Sequence, residues 1–237
     1  MELFYSNQFD NNIITLDIYE SKHCLKVLRK SIGDIISIVD GKGTLFKGKI
    51  ISNDNKQCKV EIKETIHDYN NRNYYVHIAI SPTKNHNRIE WFIEKSIEVG
   101  VDEISFIDCS RTIRKKINID RINKTAISAM KQTLKAKLPK INSIVKLNDF
   151  IYKNNNSNKF ICHLEKSISQ TIFNFKKNNE FGDSACIMIG PEGDFTIDEI
   201  NFSKENSFSF LSLGDSRLRT ETAGVVACHL LNIAYND

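Results

Sequence analysis

The sequence contains no apolar run approaching the roughly 18–20 residues needed to span a bilayer. Residues 1–10 lack a basic leader followed by an apolar stretch, so no secretory signal is expected and the cytoplasm is the expected location. No C-x-x-C pair occurs either. Cys24, Cys58, Cys109, Cys162, Cys186 and Cys228 are scattered, several of them in apolar runs where a thiol behaves as a small hydrophobe. His23-Cys24 and Cys228-His229 are adjacent rather than ligand-spaced, so no structural metal is expected. Internal repeats and extended low-complexity segments are absent. With 41% hydrophobic residues and a net charge of only +4, overall disorder is disfavoured. At 237 residues the chain can form one large domain or two unequal ones.

The charge is unevenly spread. Residues 1–72 carry a net +1, residues 73–150 a net +6 and residues 151–237 a net −3. Ten basic residues and one acid, Asp120, fall between positions 111 and 140. The pattern predicts a helix capped by Asp120 and running to about Leu138, with Pro139 as its stop. At 100° per residue, Ile122, Ala126, Met130 and Leu134 make an apolar stripe, and Lys124, Ser128, Lys131 and Lys135 fall opposite it. A face of ammonium groups without acidic neighbours favours a polyanionic partner, nucleic acid before membrane.

Residues 1–70 read as a small β-rich domain. Strands are predicted at 35–39, 44–51 and 59–66, separated by turn signals at 40–43 and 53–55, with one short helix at 20–30. That inventory suggests a compact barrel. The polar stretch 68–73 is the expected boundary, and residues 73–237 form the second domain. Its rhythm is strand–helix alternation: strands at 74–80, 103–107, 159–164, 186–189 and 208–213. A helix capped by Asn87 ends at Val99 before Gly100. Another carries a Thr196/Glu199 capping box and runs to about Asn206, and a last one spans 220–235. The expected class is α/β with a largely parallel sheet.

In such sheets ligands bind beyond the carboxyl ends of strands. Three ends are chemically unusual: Cys162-His163-Leu164-Glu165, Gly190-Pro191-Glu192-Gly193-Asp194-Phe195, and Leu213 through Ala223 (LGDSRLRTETA). Glycine directly after a strand lets a ligand approach the backbone, and Pro191 stiffens its loop. The Walker lysine pattern and G-x-G-x-x-G are both missing, and Glu192 and Asp194 would repel a phosphate. A cationic or neutral cofactor suits these loops better, and S-adenosylmethionine is the obvious candidate.

The two C-terminal stretches together resemble the signature of the SPOUT methyltransferases of the RsmE type, enzymes that methylate N3 of a uridine in 16S ribosomal RNA of the small subunit. The similarity extends over the whole chain, through His23-x-x-x-Val27-Leu28-Arg29, residues 95–101 (KSIEVGV) and Gln132 through Pro139. The resemblance implies a PUA-like β-barrel followed by a trefoil-knotted α/β domain, a homodimer, and S-adenosylmethionine as methyl donor. It implies cofactor contacts from His163, Leu164, Ile189, Gly190, Glu192, Gly193, Leu213, Gly214 and Leu218. Three departures stand out. Ser216 occupies the place where the family commonly has arginine, with Arg217 after it; Lys135 replaces a usual arginine; and the N-terminus lacks a basic residue.

Methylating N3 needs an acceptor for a weakly acidic proton, positive charge near O2 or O4, and alignment with the methyl group. Glu221 is the candidate base or water-orienting group and Arg219 the candidate stabiliser. The alternative for Glu221 is a helix-start carboxylate engaged with a neighbouring turn. Arg29, Lys84, Arg88, Arg111, Arg114, Lys124, Lys131 and Lys135 are the candidate RNA contacts, with single-stranded or distorted RNA the expected target. Two other readings fit the same residues. One is a related knotted enzyme acting on a ribose 2′-OH or a guanine of transfer RNA. The other is a ribosome-associated RNA-binding protein without catalysis.

Overall fold

A computed structural model of the chain describes residues 2–163 and 170–236. It divides into two compact units, Met1–Asn71 with Ile127–Leu138, and Arg72–Ala126 with Pro139–Asp237. The first unit begins with three short strands, β1 (Leu3–Tyr5), β2 (Phe9–Asp10) and β3 (Ile13–Thr15), then helix α1 (Ile18–Lys22) and a π-helical turn at His23–Val27. Strands β4 (Ile35–Val39), β5 (Leu45–Ile50) and β6 (Lys59–Ile66) follow. They form one sheet in the order β1-β4-β5-β6-β3-β2, parallel only between β1 and β4. Alternation along β4 sends Ile36 and Ile38 inward and leaves Ile35 exposed. The inward side chains join Phe4, Ile14, Leu16, Phe46, Ile50 and Val60 in one core, each fully buried aliphatic contributing about 1.5–3 kcal/mol. Asp17 caps α1 by accepting from the Tyr19 and Glu20 amides, both at 2.8 Å. Ser21 fastens that helix to the sheet, donating to the Leu16 carbonyl and accepting from the Cys58 amide.

The second unit runs β7 (Tyr75–Ile80), α2 (His86–Val99), β8 (Glu103–Asp108), α3 (Ile119–Gln132), β9 (Lys140–Lys146) and α4 (Leu147–Lys153), with the end of α3 belonging to the first unit. It continues through β10 (Asn158–Cys162), α5 (Ile172–Asn178), β11 (Ser184–Ile189), α6 (Ile197–Glu205), β12 (Ser209–Phe210) and α7 (Thr220–Asn236). The sheet order is β12-β10-β11-β7-β8-β9, and every pair is parallel. All six carboxyl ends therefore open on one edge. Strands buried on both faces read as continuous apolar runs, as in Ala185 to Ile189, all buried. Among the described residues no helix is long and apolar enough to cross a membrane.

Several sequence expectations are corrected. The α2 cap is Asn85, whose side chain accepts from the Asn87 amide at 3.0 Å; Asn87 is already helical. The basic helix begins at Ile119, with Asn118 accepting from the Arg121 amide, so Asp120 sits in its first turn. That helix stops at Gln132 and not at Leu138, because Leu134 turns into the left-handed region at φ +56°. Beyond it, the chain runs beside the 40–43 turn: Gly43 donates to the Ala136 carbonyl and Leu138 to that of Gly41. Strands β1 to β3 and β9 and helices α4 and α5 carry no expectation from the pattern. The strand predicted at 208–213 is only two residues long.

Candidate active site

At the carboxyl ends of β10 and β11, and along the segment after β12, lies a cleft of about 690 Å³. This is the size of a site that encloses a small organic ligand. Its walls are Cys162 and His163, residues 189–192 with Asp194, residues 211–218, and Thr220 and Ala223 of α7. The expected cofactor residues His163, Ile189, Gly190, Glu192, Leu213, Gly214 and Leu218 are thus brought together. Leu164 lies outside the described residues. Gly193 is not part of the wall, which is a correction: it is exposed and its carbonyl accepts from Arg111 Nη1 at 2.6 Å.

The loop after β11 owes its shape to its residues. Asp194 has φ +62° and donates its amide to the Pro191 carbonyl at 2.9 Å, closing a tight turn. Phe195 folds beneath it, so a Cβ on Gly190 would meet that ring at 3.0 Å. Helix α6 then starts with the expected capping box, Thr196 and Glu199 bonding reciprocally. Side chains elsewhere in the unit tie the loop down. Glu192 Oε1 accepts from the Lys84 amide at 3.1 Å, and Arg114 donates through Nε and Nη2 to the Lys84 carbonyl at 3.1 and 3.0 Å. Arg111 and Arg114, expected to hold RNA, spend these donors on the protein.

The second bend, at Gly214, has φ +108° and open space where a Cβ would stand. Glycine is required there by the backbone and not by crowding. Ser212 anchors the bend by accepting from the Gly214 amide at 3.2 Å, while the Ser212 amide donates to the Gln170 carbonyl. Cys162 faces the cleft, but burial and then the nearby Asp194 push its thiol pKa up, so it stays protonated and is no nucleophile. His163 stacks edge-on against Phe210, ring centroids 5.0 Å apart.

Neither expected catalytic residue lines the cleft. Arg219 is exposed at the foot of α7, its carbonyl taking the Ala223 amide. Glu221 is 6% exposed, with Oε1 3.5 Å from Arg88 Nε and no hydrogen-bond partner for Oε2 among the described residues. Thr220, between them in sequence, is a wall residue.

The remaining candidate RNA contacts separate. Arg29 (φ +53°), Lys84 and Lys124 are exposed. Lys131 is ion-paired with buried Glu20 inside the first unit, and Lys135 lies past the end of α3 and is half-buried; the expected arc of ammonium groups on one helix face is not formed. Of the wall residues, Leu211 and Ser212 lie outside the three strand ends singled out in the sequence, while Cys162, Pro191, Asp194, Asp215, Ser216, Arg217, Thr220 and Ala223 lie within them but carried no expected contact. Ser216-Arg217, the pair out of family order, were signalled by that departure. Among the described residues no group of histidine, cysteine and carboxylate side chains could hold a metal ion.

Comparison with known proteins agrees with this layout. Residues 70–232 match the family described as "RNA methyltransferase domain", and residues 20–63 match "RNA methyltransferase PUA domain". Ribosomal RNA small subunit methyltransferase E of Buchnera aphidicola (subsp. Acyrthosiphon pisum) is 32% identical over 92% of this chain and 87% of its own. A Porphyromonas gingivalis structure described as a "probable rRNA-methyltransferase" superposes with a TM-score of 0.91 at 34% identity, covering 100% of this chain and 99% of the other. A Legionella pneumophila structure described as a "putative methyltransferase" in complex with the bound cofactor SAM gives a TM-score of 0.85 at 26% identity, covering 98% of this chain and 97% of the other. With a PUA-like unit, a methyltransferase unit and relatives that share nearly its full length, the chain belongs to the ribosomal RNA small subunit methyltransferase E family.

Proposed function

We propose that the protein transfers a methyl group from S-adenosylmethionine to N3 of one uridine in the 16S RNA of the small ribosomal subunit. The observation that carries this reading is a glycine-lined cleft at parallel strand ends, with a buried, half-satisfied carboxylate one residue from its wall. The cleft fits the cofactor: Gly190 and Gly214 keep the backbone approachable, Leu213, Leu218 and Ile189 offer apolar surface for an adenine, and Asp194 and Asp215 complement a sulfonium. Bound there, the cofactor supplies an electrophilic methyl group. The chain's own task is the proton on N3. Glu221, whose neighbour Thr220 is in the cleft wall, is the candidate acceptor and serves as one only if binding uncovers its buried carboxyl, and exposed Arg219 is the candidate stabiliser of the negative charge growing on the uracil oxygens. Exposed Arg29, Lys84 and Lys124 hold the RNA backbone.

The same reading includes residues 1–70 as the RNA-binding PUA-like domain and residues 73–237 as a SPOUT domain that dimerises. It threads the chain through a trefoil knot at the two cofactor loops. The support is the family membership together with the adjacency of those loops in one cleft. The test is transfer of tritiated methyl from the donor to small subunits and to naked RNA, followed by nucleoside analysis. The expected product is 3-methyluridine; a methylated ribose or guanine would overturn the assignment. RNA binding without any transfer would make the protein a binding factor. Sedimentation at micromolar concentration tests the dimer.

A further inference from the structure

The loop after β11 holds one wall residue in an uncommon backbone conformation. Asp194 is left-handed at φ +62°, a region that aspartate tolerates but does not prefer. Such a backbone persists only where its surroundings over-determine it. The Asp194 amide, bonded to the Pro191 carbonyl, closes the turn from within the loop. From outside, a single nitrogen spans it. Arg111 Nη1 donates to the Gly193 carbonyl at 2.6 Å and reaches the Phe195 carbonyl at 3.5 Å, the carbonyls of the residues on either side of Asp194. The stem of Arg111 lies along Gly193, where a Cβ would stand 3.3 Å from Arg111 Cδ. Arg111 is fixed at its root as well. The Ser110 amide donates to Glu199 Oε1 at 2.7 Å, on the helix that follows the loop. Thr112 Oγ1 accepts from the Cys109 amide at 2.8 Å and lies 2.8 Å from Ser81 Oγ, just past β7.

We propose that Arg111 is a positioning residue for cofactor binding: by holding the carbonyls on either side of Asp194, it keeps the cleft wall in the shape that S-adenosylmethionine meets. Cofactor affinity then depends on an arginine that is not itself part of the wall. The inference rests on the reading of this cleft as the cofactor site. A wall held in shape beforehand spares the ligand the cost of ordering the loop, and a carbonyl bonded to a guanidinium is held more strongly than one bonded to a neutral donor. The competing role for this exposed cation, in a segment shared with Arg114, Lys115 and Lys116, is a contact to an RNA phosphate.

Titration calorimetry with S-adenosylmethionine in the absence of RNA, beside RNA binding measured across salt concentrations, distinguishes these roles. Arg111→Met keeps the stem and removes the N–H groups. It is expected to weaken the cofactor by roughly 5–30-fold. KM for the cofactor should rise by a similar factor, with kcat at saturating cofactor within about threefold of the parent, and the salt slope of RNA binding should not change. Because one nitrogen makes both contacts, Arg111→Lys is expected to recover much of the affinity. Urea denaturation certifies the fold of each variant, and Arg111→Gln takes the place of Arg111→Met if the latter unfolds. Parental cofactor affinity in Arg111→Met overturns the positioning role; a salt slope lowered by about one beside it assigns Arg111 to a phosphate instead. Leu218→Trp fills the cleft from its wall. Parental cofactor affinity in that variant overturns the placement of the cofactor itself, whereas its loss of binding beside a parental Arg111→Met removes Arg111 alone.

Discussion

At Gly214 the backbone sits at φ +108° with nothing within 4 Å of a Cβ, so an added methyl meets strain and no clash. Gly214→Ala is therefore expected to lower folding stability by up to about 1–2 kcal/mol of backbone strain, and, to the extent that the bend shifts to relieve that strain, to weaken the cofactor by up to roughly 5–30-fold. Titration calorimetry with S-adenosylmethionine measures it, and unchanged affinity would mean the bend does not touch the ligand. Lys131 makes the opposite case. Its ion pair with Glu20, 7% exposed, implies that Lys131→Ala leaves a buried carboxylate uncompensated. A loss of about 2–3 kcal/mol is expected in urea denaturation, below the full cost of a buried pair because the lysine is partly exposed. Intact stability with weaker RNA binding would return Lys131 to the RNA. These residues also mark how far the site was legible. The strand-end glycines were readable because each leaves no place for a side chain, Gly214 through its φ of +108° and Gly190 through the Phe195 ring beneath it. The partners of Arg111, Arg114 and Lys131 were not, because a long cationic side chain finds its acceptor only once distant segments meet.

Between elements, Gly224 of α7 packs closely against Phe92 of α2, a Cβ there lying 2.5 Å from the ring. Gly224→Ala drives a methyl into a buried ring, at a cost of about 1–3 kcal/mol from overpacking. The expected outcome is a lower denaturation midpoint. A second change, Phe92→Leu, should restore part of it by making room; a Gly224→Ala protein with full stability would show that the helices have slack. Elements with strong period or punctuation were legible: β4 and β6, the capping box at Thr196, and the Gly100 stop at φ +118°. Those missed have weak local signals. Strands β1 to β3 are two or three residues long, β9 is an edge strand with mostly exposed or half-buried side chains, and α5 spans two turns. The early end of α3 was also illegible. Its tail Ala136 to Leu138 bonds to the 41–43 turn, a long-range preference that local helix propensity cannot report.

For the chain as a whole, each unit has its own apolar core, and the second adds a polar network beneath its sheet that makes stability depend on pH. His77 is 4% exposed; Nδ1 donates to Asn156 Oδ1 at 3.1 Å, and Nε2, 2.8 Å from Ser105 Oγ, accepts from that hydroxyl. Ser105 in turn accepts from Asn142, which also donates to Glu103, as does Tyr75. Every position is filled by a neutral imidazole. Burial holds the His77 pKa below its ordinary value, against the pull of Glu103, whereas in the unfolded chain it returns to about 6.5. Below that pH the unfolded chain binds a proton the native one refuses, so stability is full above about 6.5 and falls as the medium is acidified. The slope is at most about 1.4 kcal/mol per pH unit from this group. Asp108, pushed up by burial but held below its ordinary value by Lys146 and Lys115, acts with the same sign at lower pH. Urea midpoints measured between pH 8 and 5 should thus decline from about 6.5 downward. His77→Gln should be less stable at pH 8, having lost ring packing against Phe150, and yet show a flatter profile between 6.5 and 5. If the profile keeps its slope, the proton is taken up elsewhere and the network under the sheet is not the acid-sensitive element.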